Sequence, residues 1–455
     1  MNTDDIKEVQ KVLDLYLKQD LENELSAYDI AQHLKALKYH DEDVYTSYLA
    51  RIKTDVLGDV AIELPESLLK DVIENISTDK MVEALEELES DDQTDLLQYI
   101  KDIDEDKAKE IFDGLDKEDQ ADVLRLGSYS NDESGAYMQT ELFWAYADEK
   151  LGDAVTRLRE QKNAGELENI SQLFIVNNDK ILKYTIPLEE LILFDFSKKL
   201  QQIIQEHEPD YYSPYSALDT QDIKDTVALV QEYDLNVIAV VDSKGILLGR
   251  ITADDIHDFI QESATEQIYN LAGLNDEAEE EDTLAKAGKA RAVWLFINLF
   301  TAIVSSSIIG IFDDAIASYV ALAVLMPIVA SMGGNTGTQA LTVTVRRLTL
   351  GEIEFKDAKY VLRREVGISI INGVIFGAVM GVISWLWFDK ALLGLVVACS
   401  MLVNLSLAGF FGTVIPLTLK RLNIDPAVGS AVLLTTFTDG IGFFSFLGLA
   451  KWILI

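Results

Sequence analysis

Residues 427–453 read AVGSAVLLTTFTDGIGFFSFLGLAKWI. Apart from one carboxylate and a lysine near its end, the run is apolar or small, and about 20 such residues cross the ~30 Å hydrocarbon core of a bilayer as a helix. The carboxylate, Asp439, stands near the middle. A charged side chain there costs about 2.5–3.5 kcal/mol on insertion scales, so it must face protein or water, and an intramembrane carboxylate is a functional residue by default. Thr435 lies one turn earlier on the same helical face and Thr436 and Thr438 are beside it, so hydroxyls and carbonyls are at hand to share a hydration shell. The alternative is a protonated Asp439 bonded to a neighbouring helix.

Four more runs of this kind precede it, near 292–312, 316–342, 365–388 and 391–419. Gly373, Gly377 and Gly381 form a small-residue stripe in the third, the pattern that lets helices approach closely in lipid, so packing is the expected role. The second contains PIVASMGGNTGTQA (327–340), with Pro327, three glycines and the amides Asn335 and Gln339. Such a segment tolerates hydrocarbon only where neighbouring helices or a water-filled cavity satisfy it, so a helix break and a polar lining are expected at one level. Arg346, Arg347, Lys356, Lys359, Arg363 and Arg364 follow the second span, Lys420 and Arg421 follow the fourth, and Lys286, Lys289 and Arg291 precede the first. The opposite side has Lys390 and Lys451. The basic bias predicts a cytoplasmic N-terminus and, with five spans, an outside C-terminus in the plasma (inner) membrane.

The 455 residues hold 77 Asp plus Glu against 38 Lys plus Arg, a formal net charge of -39. The excess is one-sided: residues 1–291 hold 68 acids and 28 bases, residues 292–455 hold 9 and 10. So negative a surface repels nucleic acid and attracts metal cations. MNTDDIKEVQ lacks the apolar core of a secretory signal, which keeps the acidic part in the cytosol. A single Cys excludes a disulfide framework and any thiolate zinc site. No P-loop, G-x-S-x-G or H-E-x-x-H occurs, and His33, His40, His207 and His257 all lie outside the spans, so an enzyme is not expected.

Between Val72 and Leu126 a short unit recurs, a capping residue followed by acids and an apolar helix, starting at Ser77, Ser90, Asp104 and Asp116. That spacing suits a superhelix of short helices, with most of the acids serving as caps and solvated faces. From Leu173 the texture alternates strand and helix. NVIAVVDSKGILLGRITADDIHD (236–258) predicts strand, turn, strand and a helix opening at Thr252. It resembles the second half of a cystathionine-β-synthase (CBS) motif, and QLFIVNNDKILKYTIPLEEL (172–191) looks like a degenerate first copy, with Thr185 and Glu189 in the places of Thr252 and Asp255. In such motifs this step can hold a nucleotide ribose, which makes Thr252 and Asp255 candidates for ATP or another adenine nucleotide. Ile256 to Leu271 has helical periodicity, and an acidic run, Asp276 to Asp282, then leads to the spans.

This order of parts resembles the MgtE family of magnesium channels and transporters. PIVASMGGNTGTQA is similar to that family's Pro, Gly-Gly-Asn-x-Gly-x-Gln signature, and TDGIGFFSFL to its Asp-bearing fifth span. The expected architecture is multidomain: an α-helical superhelical domain (1–136), an α/β paired CBS module (137–262), a connecting helix and acidic linker (263–291), and an all-α membrane domain of five transmembrane helices (292–455). The resemblance implies a homodimer in membrane lipid that moves Mg²⁺ along the subunit interface, lined by the second and fifth helices, with Asp439 of both subunits at a central cation site. Asn335, Gln339, Thr435 and Thr438 become pore-lining candidates. It further implies regulatory Mg²⁺ at Asp255, Asp258 and Glu266, at Asp425 in the NIDPA loop, and at Asp91, Asp92 and Asp95 in the helical domain. Ser263 and Gln267 stand where the family pattern has acids, which predicts weakened gating. The rival functions are transport of Co²⁺ or Mn²⁺, which oxygen ligands also suit, and a membrane-anchored CBS nucleotide sensor.

Overall fold

Short apolar stripes separated by capping residues build the first part of the chain. The computed structural model describes residues 3–18, 25–167, 169–274, 284–349, 353, 355–422 and 424–455, so the acidic run at 276–282 lies outside the described residues. The helices are α1 (Thr3–Leu17), α2 (Ala27–Lys38), α3 (Glu42–Leu49), α4 (Thr54–Ile62), α5 (Glu66–Asn75), α6 (Thr78–Glu86), α7 (Ser90–Ile103), α8 (Glu105–Gly114) and α9 (Lys117–Leu126). From α2 on, each even helix packs on the next even one, and α3, α5, α7 and α9 do likewise, which winds the stack into a superhelix with one continuous core from Ile6 to Val123. Its regular repeat thus begins well before Val72.

Ser77, Asp104 and Asp116 cap α6, α8 and α9, each side chain accepting first-turn backbone N–H groups, a contribution of roughly 1 kcal/mol apiece. Ser90 breaks the pattern. It is already helical, Glu89 occupies the cap position, and the Ser90 hydroxyl accepts from the Thr140 N–H and donates to Glu141. A residue with a partner on another element is drawn out of the local role that its spacing predicts.

Two copies of one α/β unit follow. The first contains β1 (Trp144–Tyr146), α10 (Leu151–Ala164), β2 (Gln172–Val176), β3 (Leu182–Pro187) and α11 (Leu188–Leu191). After α12 (Leu200–Gln205) the second contains β4 (Ser216–Leu218), α13 (Ile223–Glu232), β5 (Val237–Val241), β6 (Leu247–Thr252) and α14 (Ala253–Ala272). In each sheet the first pair is parallel and the second antiparallel. The copies share even their turns: Asn177 Oδ1 accepts from the amides of Asp179 and Ile181, as Asp242 Oδ1 does from Lys244 and Ile246. The left-handed residue is Lys180 in one and Gly245 in the other. The two sheets bury Phe174, Val176, Val237, Ala239 and Leu247 between them.

Pairing of Gln172 with Pro187, and of Val237 with Thr252, corrects the register read from the sequence. The counterparts of Thr252 and Asp255 are Pro187 and Glu190, not Thr185 and Glu189. Thr185 is inside β3, and Glu190 accepts a hydrogen bond from the Tyr212 hydroxyl at 2.6 Å.

Residues 1–261 and 262–455 form two compact units. The second consists, beyond the end of α14, of α15 (Leu284–Gly310), α16 (Asp313–Ser318), α17 (Ala321–Thr349), α18 (Ala358–Phe388), α19 (Ala391–Arg421) and α20 (Ser430–Leu454). Among the described residues four helices, containing Arg291–Gly310 and spanning α18, α19 and α20, are long and apolar enough to cross a membrane. α17 is long enough but too polar to join them by composition. The second run also starts later than expected: residues 313–318 form a separate short helix, and the chain turns at Tyr319 and Val320.

Through Pro327 and the glycines α17 is one continuous helix, so the expected break is absent. Proline forfeits a single N–H, and the glycines are matched to neighbours. A methyl group on Gly337 would stand 2.8 Å from Leu434, and one on Gly412 would stand 2.6 Å from the Gly337 carbonyl oxygen. α19 is the centre of the unit, packed by α17, α18 and α20. Gly373 and Gly377 let α18 lie on its backbone, with the Leu402 Cα 3.1 Å and the Ala398 carbonyl 2.8 Å from the added methyls.

Candidate cation sites

In the first unit two helix N-termini meet at a cluster of carboxylates. The first turn of α7 carries Asp91 and Asp92, and that of α14 carries Asp254 and Asp255; acids suit both positions because the helix dipole is positive there. Asp91 is 7% exposed. Burial first, then the charges of Asp255, Asp92 and Glu89, hold its carboxyl well above the usual range. Burial, followed by Asp255, Asp95, Asp59 and Asp254, pushes Asp92 up to about 7. Asp255 is pushed up to about 6 by burial, against the lowering hydrogen bonds from Thr252. Asp258 adds its charge to Glu63, whose carboxyl burial already raises. Of the sequence-derived candidates, then, Asp91, Asp92, Asp95 and Asp255 act on one another, and Asp258 faces the end of α4.

Thr252 and Asp255 are engaged with each other, the Asp255 carboxylate accepting from the Thr252 amide at 3.1 Å and from its hydroxyl, with Gln139 Nε2 at 3.4 Å. A ribose at this step would compete with those bonds. Beside the cluster a cleft of about 980 Å³ is lined by Asp59, Glu89, Asp92, Asp119 and Glu141 together with Trp144. Among the described residues no three His, Cys, Asp or Glu side chains are arranged to ligate one ion directly. An ion that keeps its own waters suits such a surface, as Mg²⁺ does.

Sequence reasoning missed Arg250. It lies on β6, 2% exposed, and its guanidinium donates to Glu89 at 3.2 Å and to the Asn169 carbonyl at 3.2 Å. The signal was present in GILLGRITADD: a guanidinium on a strand with apolar neighbours needs a buried acid to meet it. Glu89 itself is pushed up to about 7 by burial, with Arg250 pulling the other way and Glu141, Asp255 and Asp92 adding to the rise.

In the second unit Asp439 is half-buried on α20 and, among the described residues, its carboxylate has no hydrogen-bond or ion-pair partner. The Thr435 and Thr438 hydroxyls donate to the carbonyls of Val432 and Thr435, and Thr438 is 2% exposed. Asn335 and Gln339, one turn apart on α17, are both exposed. Glu266 is hydrogen-bonded by Asn270 at 3.4 Å, and Asp425 accepts from the Ala427 amide at 2.6 Å. Gln267 and Ser263 bond to each other at 3.5 Å. Glu365, only 7% exposed on α18, is a second carboxylate in a span-forming helix; its neighbours Arg363 and Arg364 disguise it as a flanking residue.

A family model described as a divalent cation transporter, MgtE, matches residues 326–449, and one for the MgtE intracellular N domain matches residues 25–132. The magnesium transporter MgtE of Bacillus subtilis is 32% identical over 429 residues, 94% of this chain and 92% of the relative. That of Thermus thermophilus is 29% identical over 366 residues, 80% and 79%. The crystal structure of the cytosolic domain of the Mg²⁺ channel MgtE in complex with ATP is similar over 50% of this chain and 90% of its own, at 26% identity and a TM-score of 0.46.

Proposed function

The chain belongs to the MgtE family of divalent cation transporters, and we propose that it carries Mg²⁺ across the plasma membrane along a path lined by α17 and α20 at the interface of a homodimer. One observation carries the path: Asp439 sits half-buried in a 25-residue apolar helix and, among the described residues, has no hydrogen-bond or ion-pair partner. With the same residue of a second subunit it gives two facing carboxylates, whose charge one divalent ion cancels. Because Mg²⁺ sheds water reluctantly, acceptors for its hydration shell matter as much as direct ligands, and Asn335, Gln339, Thr435 and Thr438 supply amides, hydroxyls and carbonyls. α17 completes the set of five as the second span in chain order. Its 29 residues make about 43 Å of helix, ample for a ~30 Å core, and its polar face is turned to the path. The basic residues after the second and fourth spans put the N-terminus in the cytosol and the C-terminus outside.

The cytosolic cluster regulates this path. At low Mg²⁺ Asp91, Asp92, Asp95, Asp255 and Asp258 repel one another; cations between them favour the arrangement in which α7 and α14 meet, and so bias a two-state pore towards closure. Glu266 and Asp425 provide a separate, weaker pair, since Ser263 and Gln267 bond to each other where further acids would strengthen it. A ribose would have to break the bonds between Thr252 and Asp255, whereas these all fall on Asp255 Oδ2 and a hydrated Mg²⁺ can approach Oδ1, so Mg²⁺ rather than ATP is the ligand assigned to the cluster. Co²⁺ and Mn²⁺ are the competing cargoes.

Mg²⁺ flux into proteoliposomes, with wild type and Asp439→Ala compared over a range of cytosolic-face Mg²⁺, tests the reading. Flux is expected to vanish with the carboxylate and, in the wild type, to fall as cytosolic Mg²⁺ rises. Flux indifferent to Asp439→Ala would place the path elsewhere, and Co²⁺ or Mn²⁺ carried in preference to Mg²⁺ would change the cargo.

A further inference from the structure

Asn404 lies in the middle of α19, the central helix of the second unit, and is completely buried. Its Nδ2 donates to the Val329 carbonyl oxygen on α17 at 2.8 Å. Its Oδ1 has no hydrogen-bond partner among the described residues. Glycines on both neighbouring helices make room for the amide. A methyl group on Gly333 of α17 would collide with Nδ2, and one on Gly442 of α20 would stand 2.9 Å from Oδ1. Three helices therefore converge on one side chain. Gly442 lies one turn beyond Asp439, and Gly333 lies two residues before Asn335.

A leucine would fill this space without leaving an acceptor stranded, and a buried acceptor without a donor is costly. What the amide offers instead is a directional bond to α17 from a side chain that also touches α20. We propose that Asn404 is a positioning residue for ion passage: it sets the separation between the Asn335–Gln339 face of α17 and Asp439 on α20, and through that separation the size of cation that passes. The inference rests on the reading of α17 and α20 as the walls of the path.

The test uses the full chain in proteoliposomes and measures Mg²⁺ flux, its concentration dependence and the ratio of Mg²⁺ to Ca²⁺ flux. Asn404→Leu removes the bond, Gly442→Ala displaces the amide without altering it, and Gly377→Ala makes a comparable intrusion between α18 and α19 away from Asn404. The first two are expected to lower the Mg²⁺/Ca²⁺ ratio at least threefold while elution volume and melting temperature in detergent stay near wild type. Gly377→Ala, whose methyl meets backbone rather than a side-chain amide, should lower the melting temperature and leave the ratio alone. If Gly442→Ala folds and keeps the wild-type ratio, or if Gly377→Ala changes the ratio equally, the positioning role is overturned. Asp439→Ala, run in parallel, separates the two failures: flux surviving that substitution removes the path itself, whereas flux lost there with an unchanged ratio in the Asn404 and Gly442 variants removes only the role of Asn404.

Discussion

The guanidinium of Arg250 is taken out of water on a strand whose other positions are mostly aliphatic, and Glu89, on the helical stack, is what makes that tolerable. Removing Arg250 takes away the charge that pulls the Glu89 carboxyl down, so Glu89 takes up a proton near neutral pH and the charged bond between the two is lost. The pair joins the stack to the α/β module without any metal, so it works as a cation built into an acidic interface. Arg250→Met is expected to raise hydrogen exchange at the amides of Gln93 to Asp95 in Mg²⁺-free buffer, with millimolar Mg²⁺ restoring much of the protection. Unchanged exchange without Mg²⁺ would show that the pair does not hold the interface. Asp439 was legible because an apolar run has no other acid; Arg250 was not, because its meaning depends on a partner 161 positions away.

Among the elements, the end of α14 and the start of α20 meet at one side chain. Gly273 follows α14 at φ +72, Gly429 caps α20 at φ +66, and methyl groups on these glycines would lie 3.7 Å and 3.6 Å from the indole of Trp294. There is room for Cβ at Gly429, so the obstacle is the backbone: a left-handed conformation costs an L-residue roughly 1–2 kcal/mol. Gly288, inside α15 with nothing among the described residues within 4 Å of an added methyl, is the opposite case, where alanine adds helix propensity worth about 0.8–1 kcal/mol. Gly429→Ala should lower the melting temperature in detergent and Gly288→Ala should raise it; the same sign for both would contradict this account. α17 carries the corresponding lesson about reading. Proline and glycine signal a break in an isolated helix, but backbone groups in a membrane must be satisfied internally, and close contact with α19 and α20 rewards the glycines for staying helical.

For the molecule as a whole, the acidity of residues 1–291 is a matter of protons as well as metal. Glu89 and Asp92 titrate near 7 in the fold, against about 4 when unfolded, so each takes up a proton on folding in between. Their influence therefore makes the folded form less stable as pH climbs from about 4 to about 7. The groups facing them are Arg250, Glu141, Asp255, Asp95, Asp59 and Asp254. Metal-free protein is expected to melt lower at pH 8 than these carboxyls would allow at pH 5.5, and Mg²⁺ to raise the melting temperature more at pH 8, where it displaces fewer protons. An equal Mg²⁺ effect at both values would argue against cations binding at this cluster. Composition, charge asymmetry and apolar length determined by themselves that an acidic part precedes a membrane-spanning helical part, because those are sums over residues or patterns along one helix. The repeat of short capped helices and the strand–turn–strand units were equally local. Only the tertiary structure decided that Ser90 serves another element, that Pro187 and Glu190 are the true counterparts of Thr252 and Asp255, that α17 runs unbroken, and that Arg250 and Asn404 join helices or domains. Each depends on distances between residues far apart in the chain, where packing and desolvation outweigh local propensity.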